Sequence, residues 1–233
     1  MLFIFPGLIS VAQVVNPTLK TVNDNWLIHE FENAKPLSNR STIAGTPYLN
    51  KKFQSGQPIS QYNETLPIIP LRYNIYTDNI EYKSPENKVF VLSDRNKIKA
   101  YKIGDSTFIY SLYHKNKNKL SSGYFQVLVP GKTRGLIKYT VYLLQAHPTQ
   151  PYKPAEPERF SKRIKSFYVK VGYAAAVPVS REKTIIQLFP KQKSQLSHYI
   201  KKEKIHIRKQ AEFVKLINYI NTLSNTTAND NKQ

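Results

Sequence analysis

Ser180-Arg181-Glu182-Lys183 matches Ser-x-x-Lys, a spacing that can set a nucleophilic serine beside the lysine that takes its proton. Such a pair would perform acyl transfer. The companion Ser-Asp-Asn and Lys-Thr-Gly sequences are missing. Ser180 also stands where a helix is predicted to start, so its hydroxyl is expected to cap that helix. Gly131-Lys132-Thr133 ends like a phosphate-binding loop, but the glycine such a loop needs at position 126 is Gln126. A hairpin turn is the expectation there. The histidines are His29, His114, His147, His198 and His206, no two of them one helical turn apart, and there is no cysteine. No catalytic, cofactor-binding or metal-binding residue is therefore assigned.

One cluster is chemically distinctive. Lys191, Lys193, Lys201, Lys202, Lys204, Arg208 and Lys209 fall within two predicted helices and their connection. Their chemistry is attraction to anions: the phosphates of a lipid or a glycan. The aromatic interleaving that base stacking needs is weak, which disfavours nucleic acid. The competing reading is a solvated face on helices whose opposite side is buried.

The elements that would hold these residues begin with strands. Leu71, Tyr73 and Ile75 alternate with Arg72, Asn74 and Tyr76, the period of a sheet with one buried face. Turn-forming clusters at Thr77–Asn79, Ser84–Asn87 and Ser93–Asn96 cut the run into short strands. From Lys97 to Ile103 the alternation slips, and a β-bulge near Ala100 restores it. Gly104-Asp105 then reads as a two-residue hairpin with Gly in the first central position. Phe108, Tyr110 and Leu112 continue the pattern, as do Tyr124–Val129 and Ile137–Leu143 across the Pro130-Gly131 turn. Gly45 to Phe53 reads as an entry strand, Gly56 to Thr65 as a loop, and Leu66 to Pro70, with two prolines, as an edge. Beyond Ser180 the period becomes helical, with one stripe of Ile185, Phe189, Leu196 and Tyr199 and another of Phe213, Leu216, Ile217, Ile220 and Leu223.

These elements predict an α+β fold: an antiparallel, strongly twisted β-meander or incomplete barrel with C-terminal helices packed on it. The chain divides into a signal peptide (1–12), an N-terminal lead-in (13–45), an antiparallel β region (46–146), a Pro-rich linker (147–158), final strands and helices of the same domain (159–223) and a disordered tail (224–233). The signal peptide is read from a short apolar run ending in Ser10-Val11-Ala12, although no Lys or Arg precedes that run. No segment after it has the roughly 20 apolar residues of a membrane-spanning helix. The formal charge is +20, from 35 Lys and Arg against 15 Asp and Glu, which favours anionic partners.

Gly45-Thr46-Pro47-Tyr48-Leu49-Asn50, the run Pro70 to Tyr76, the Ile103-Gly104-Asp105 hairpin, and Leu188-Phe189-Pro190 before a Lys-rich helix pair together carry a resemblance. From Thr46 to Leu223 the chain resembles an uncharacterised group of exported β-rich proteins of Bacteroidota. That resemblance implies a periplasmic or outer-membrane-associated location and no particular activity. In that setting Asp105-Ser106-Thr107 matches a short bacterial O-glycan sequon, with Ser106 as the acceptor. The leading expectation is an exported, non-enzymatic binding or structural component of the cell envelope, meeting an anionic surface or a protein partner there. A carrier holding a lipid or acyl ligand in the concavity of a half-barrel is the second reading. A hydrolase is the third.

Overall fold

In a computed structural model the described residues are 43–92, 97–116, 119–149 and 154–230. The proposed cleavage site at Ala12 and most of the lead-in lie outside them. The fold is a curled ten-stranded antiparallel half-barrel with three helices packed at its C-terminal side. Its strands are β1 (Gln54–Ser60), β2 (Ile69–Asn74), β3 (Asn79–Lys83), β4 (Val89–Val91), β5 (Ile98–Ile103), β6 (Ser106–Asn116), β7 (Lys119–Val129), β8 (Thr133–Thr140), β11 (Ile164–Val171) and β12 (Val177–Pro178). A separate two-stranded ladder joins β9 (Leu143–Leu144) to β10 (Arg159–Phe160). The helices are α1 (Glu182–Leu188), α2 (Lys193–Lys202) and α3 (Gln210–Asp230).

The spatial order is β12-β11-β8-β7-β6-β5-β1-β2-β3-β4. Two meanders, β1 to β4 and β5 to β8, therefore meet at the β1–β5 ladder rather than following one another edge to edge. The segment expected as a loop supplies the junction. Gly56 pairs with Ile69 on one side and with Ile103 on the other. A Cβ at Gly56 would come within 2.8 Å of both the Leu71 side chain and the Lys102 carbonyl oxygen, so only glycine lets the three strands approach this closely. Pro58 is tolerated because the β1–β2 ladder has already ended at Gly56. Conversely, the stretch expected as an entry strand forms bends and one bridge, Tyr48 to Asn74. Pro70, expected at an edge, sits in β2 between β1 and β3.

Other local expectations agree with the structure. Ile59 faces Ala100 and Ser60 faces Ile98, so Lys99 is the extra residue of the bulge. Gly104 has φ of +54, and Gly104 and Asp105 alone link Ile103 to its partner Ser106. Where the sequence predicts a Pro-rich linker, the described ends of the segment are instead tied together: His147 and Glu156 exchange reciprocal backbone bonds, and β9 pairs with β10 on either side.

Two apolar clusters organise the interior. The larger lies between the sheet and the helices and includes Tyr73, Phe108, Tyr124, Ile137, Phe167 and Phe213. The smaller contains Ile109, Tyr113, Phe125, Leu136, Tyr168 and Ala176. Tyr113 on β6 meets Tyr168 on β11, ring centroids 5.6 Å apart, although β7 and β8 separate the two strands in the sheet. Those rings touch because the sheet curls around them. Ala176 completes the turn: its N–H donates to Leu112 and its carbonyl accepts from His114, each at 2.9 Å.

α3 buries the stripe read from the sequence, with Phe213, Leu216 and Ile217 fully enclosed. Its Asn221 side chain accepts from the Thr133 N–H (3.0 Å) and donates to the Thr133 carbonyl (2.9 Å), fastening the helix to the β7–β8 turn. The helix continues to Asp230 rather than ending at Leu223. No proline or glycine intervenes to stop it.

Buried tyrosines give the fold an alkaline limit. Burial, reinforced by Tyr113, pushes the Tyr168 hydroxyl up to about 12. Burial and then the Asp78 carboxylate push Tyr73 well above its ordinary value. The folded state thus holds these protons more tightly than the unfolded chain does. Their contribution is complete below about pH 10 and is lost as pH rises towards 12. The denaturant midpoint is expected to fall over that window, and Tyr168→Phe is expected to flatten the fall. A midpoint constant from about pH 9 to 12 would contradict this.

Candidate functional site

The seven cations read from the sequence are all exposed. They divide into two groups. Lys191 and Lys193 sit where the chain passes through a short 3-10 turn into α2. Lys201, Lys202, Lys204, Arg208 and Lys209 surround the exit of α2 and the entry of α3. The helical rise places Lys193 and Lys201 about 12 Å apart along α2. The two groups therefore stand at opposite ends of α2.

Local physics accounts for part of that group. Lys201 and Lys202 occupy the last turn of α2, where cations complement the helix dipole. Lys204 takes a left-handed conformation, φ +50, at the position just past the helix where glycine is usual. That lets the Ile205 N–H return to the Ile200 carbonyl at 3.0 Å. Ile205 and Ile207 are buried between the helices, which turns the intervening and following polar residues outward. Glu203 is bound by Lys215 (2.6 Å) and Glu212 by Lys209 (3.0 Å). Both carboxyl groups are held below the usual range, Glu203 by Lys215 and Glu212 first by the His206 backbone N–H and then by Lys209. Among the described residues, Lys209 is the one member of the seven in an ion pair. Lys215 belongs to the same surface, and the sequence reading omits it.

Ser180 does not cap α1. The N-cap residue is Arg181, with no side-chain cap bond, and the helix is held instead by burial of Ile185 and Phe189 beside it. Ser180 and Lys183 are both exposed and share no hydrogen bond, so the spacing does not become a nucleophile–base pair. Ser106 begins β6 and is half-buried, and its hydroxyl accepts from the Gln126 amide at 2.9 Å. A glycan on that oxygen would have to displace this bond.

The structure also assembles two polar clusters that no sequence motif announces. In the first, the Asp78 carboxylate binds Lys138 (2.9 Å), the Tyr73 hydroxyl (2.6 Å) and the Tyr124 N–H (3.2 Å). Lys138 also donates to the Tyr124 carbonyl at 3.3 Å and lies 5.1 Å from the Phe125 ring centroid. The β7–β8 ladder starts only at Gln126, so these two side chains satisfy the backbone of Tyr124 where the strands part. In the second, Arg72 lies between the Tyr48 and Phe53 rings (3.7 and 4.2 Å to the centroids) and binds Glu81 at 2.6 Å. Asn74 donates to the other Glu81 oxygen at 2.7 Å. That network fastens the chain before β1 to the sheet.

Comparison with known proteins finds no match. No family model fits the chain, and no curated protein or solved structure matches it. The residues themselves must carry the functional argument.

A small cavity lined by Leu49, Gln54, Arg72, Tyr73, Ser106 and Phe108 has a volume of about 10 Å³. That is room for a single water. Tyr73, Phe108 and Tyr124 pack together in the larger core, with ring centroids 5.3 and 6.1 Å from Tyr73. Among the described residues no helix is long and apolar enough to cross a membrane, and no group of three potential metal ligands comes together.

Proposed function

We propose that this protein is an exported, non-enzymatic component of a bacterial cell envelope that binds an anionic surface through its C-terminal helices. The observation that carries the reading is the exposed group Lys201, Lys202, Lys204 and Arg208, gathered at one helix junction without a carboxylate partner among the described residues. Phosphate on a lipid or glycan is the chemistry that suits it, because each cation near an anionic membrane contributes about 1 kcal/mol. The polar interior residues support a binding role over a catalytic one: Asp78, Lys138, Arg72 and Glu81 are engaged with one another and with the backbone. The carrier reading is weaker because the sheet curls around the packed rings of Tyr113, Phe125 and Tyr168, where an acyl chain would have to lie. The export reading rests on the apolar run before Gln13 and on the Bacteroidota-like sequence pattern.

Changing Lys201, Lys202, Lys204 and Arg208 together to Gln is expected to weaken binding to phosphatidylglycerol vesicles, or to an immobilised phosphorylated glycan, by about tenfold or more. The two supports separate the lipid and glycan sources. Wild-type binding should weaken as salt shortens the Debye length below about 8 Å. Folding should persist because the buried stripes are untouched. Binding that is indifferent to both salt and the four substitutions would refute the surface. Terminal peptide mapping of the native protein should find Gln13 first, and a cytoplasmic chain retaining Met1 would refute export.

A further inference from the structure

β6 and β7 form the longest hairpin of the sheet, 11 residues in each strand. Much of it overhangs its neighbours. The β5–β6 ladder reaches only to Phe108, and the β7–β8 ladder begins only at Gln126. Beyond those points the two strands pair with each other, apart from the bridge between Tyr113 and Ala176. The inward face of this arm carries Ile109, Tyr113 and Phe125, all buried in the smaller core. The opposite face is set by register. Leu112 faces Ser122 and His114 faces Leu120, so the four side chains share one side, with the two leucines on a diagonal.

That face runs from Tyr110 and the buried Tyr124 out to two exposed leucines, which stand beside Ser122 and His114. Leu112 is 46% exposed and Leu120 is 52% exposed. Immediately beyond them the sequence reads Lys115-Asn116-Lys117-Asn118-Lys119, and Lys115 and Lys119 are exposed. From Ser106 to Ala155 the chain contains no aspartate or glutamate at all. Exposed leucines next to Lys115 and Lys119, which have no ion pair among the described residues, match the two layers of one particular partner: acyl chains beneath an anionic headgroup plane.

We infer that the β6–β7 arm is a membrane-contact element that seats Leu112 and Leu120 in the interfacial layer of an anionic phospholipid bilayer, with Lys115 and Lys119 at the phosphates. The arm uses no residue of the C-terminal basic face, so either surface can fail independently of the other. Electrostatic attraction brings the arm to the surface and is screened by salt. The apolar contact persists once it is made.

The absence of cysteine allows a clean test. Leu120→Cys carrying an environment-sensitive fluorophore is expected to shift to the blue on phosphatidylglycerol vesicles and to stay unchanged on phosphatidylcholine. The same label at Tyr62→Cys, 85% exposed in the β1–β2 connection, should stay unchanged on both. Without any label, Leu112→Ser with Leu120→Ser should lower vesicle affinity by about tenfold while leaving the melting curve in place. The Lys201, Lys202, Lys204 and Arg208 variant should retain the blue shift at saturating lipid. Equal responses at positions 120 and 62, or undiminished affinity in the double serine variant, would overturn the assignment.

Discussion

Asp78→Ala is expected to lower the free energy of unfolding by about 2–4 kcal/mol. The side chain of Lys138 is only 12% exposed, so losing its carboxylate leaves a cation in a place where water cannot fully replace the partner. The Tyr73 hydroxyl and the Tyr124 N–H lose their acceptor in the same step. Asp78 itself is 30% exposed, which keeps the loss below that of a completely enclosed pair. Its φ of +54 adds a penalty for alanine that asparagine largely avoids. Asp78→Asn should therefore lose less, about 1–2 kcal/mol, because the amide oxygen can still accept while the charge is gone. Combining Asp78→Ala with Lys138→Met should lose less than the two single changes added together. Denaturant midpoints measured at constant m-value test all three. A loss under about 0.5 kcal/mol for Asp78→Ala would mean that solvent does this carboxylate's work.

Phe213→Ala is expected to lose about 3–5 kcal/mol. Phe213 is fully buried and stacks on Phe167 at 4.8 Å between centroids, at the centre of the contact between α3 and the sheet. Gly135 lies beneath it, where an added Cβ would come within 3.1 Å of the ring. The sheet surface has thus been cleared for this side chain. Phe213→Leu should lose about half as much. Limited proteolysis offers a second measurement. In the alanine variant new cleavage should appear within α3 before it appears in β5 to β8. A loss under about 1 kcal/mol would show that the helix docks through Leu216 and Ile220 instead.

Much of the architecture is legible in the sequence because it is written in short periods. The alternation at Leu71 to Tyr76, the slip near Ala100 and the Gly104 turn all depend on residues within a few positions of one another. The two helical stripes do too. β1 escapes such reading. Gln54–Ser60 contains Gly56 and Pro58, residues that usually mark loops, and it becomes a strand because β2 and β5 flank it. Nothing local identifies β5 as its neighbour. The basic cluster is equally plain in one dimension, since its members are near in sequence. Asp78 and Lys138 are 60 residues apart and gave no such signal. The one hint was Lys138 itself, a charge on the strand face that carries buried Leu136. Ser180 misled because capping preference is local, while the start of α1 was fixed by which apolar side chains could reach the core.

The β1–β5 junction has a consequence for how quickly the chain can reach this structure. Each meander is assembled from hairpins whose strands are close in sequence, so each can collapse early with little loss of loop entropy. Uniting them requires Gly56 to find Ile103 and Ile59 to find Ala100, across a long intervening stretch that is itself folding. That encounter should be the slow step. Substitutions along Gly56–Ser60 and Ala100–Ile103 should then slow refolding nearly in proportion to the stability they remove, whereas changes in the β3–β4 hairpin should mainly accelerate unfolding.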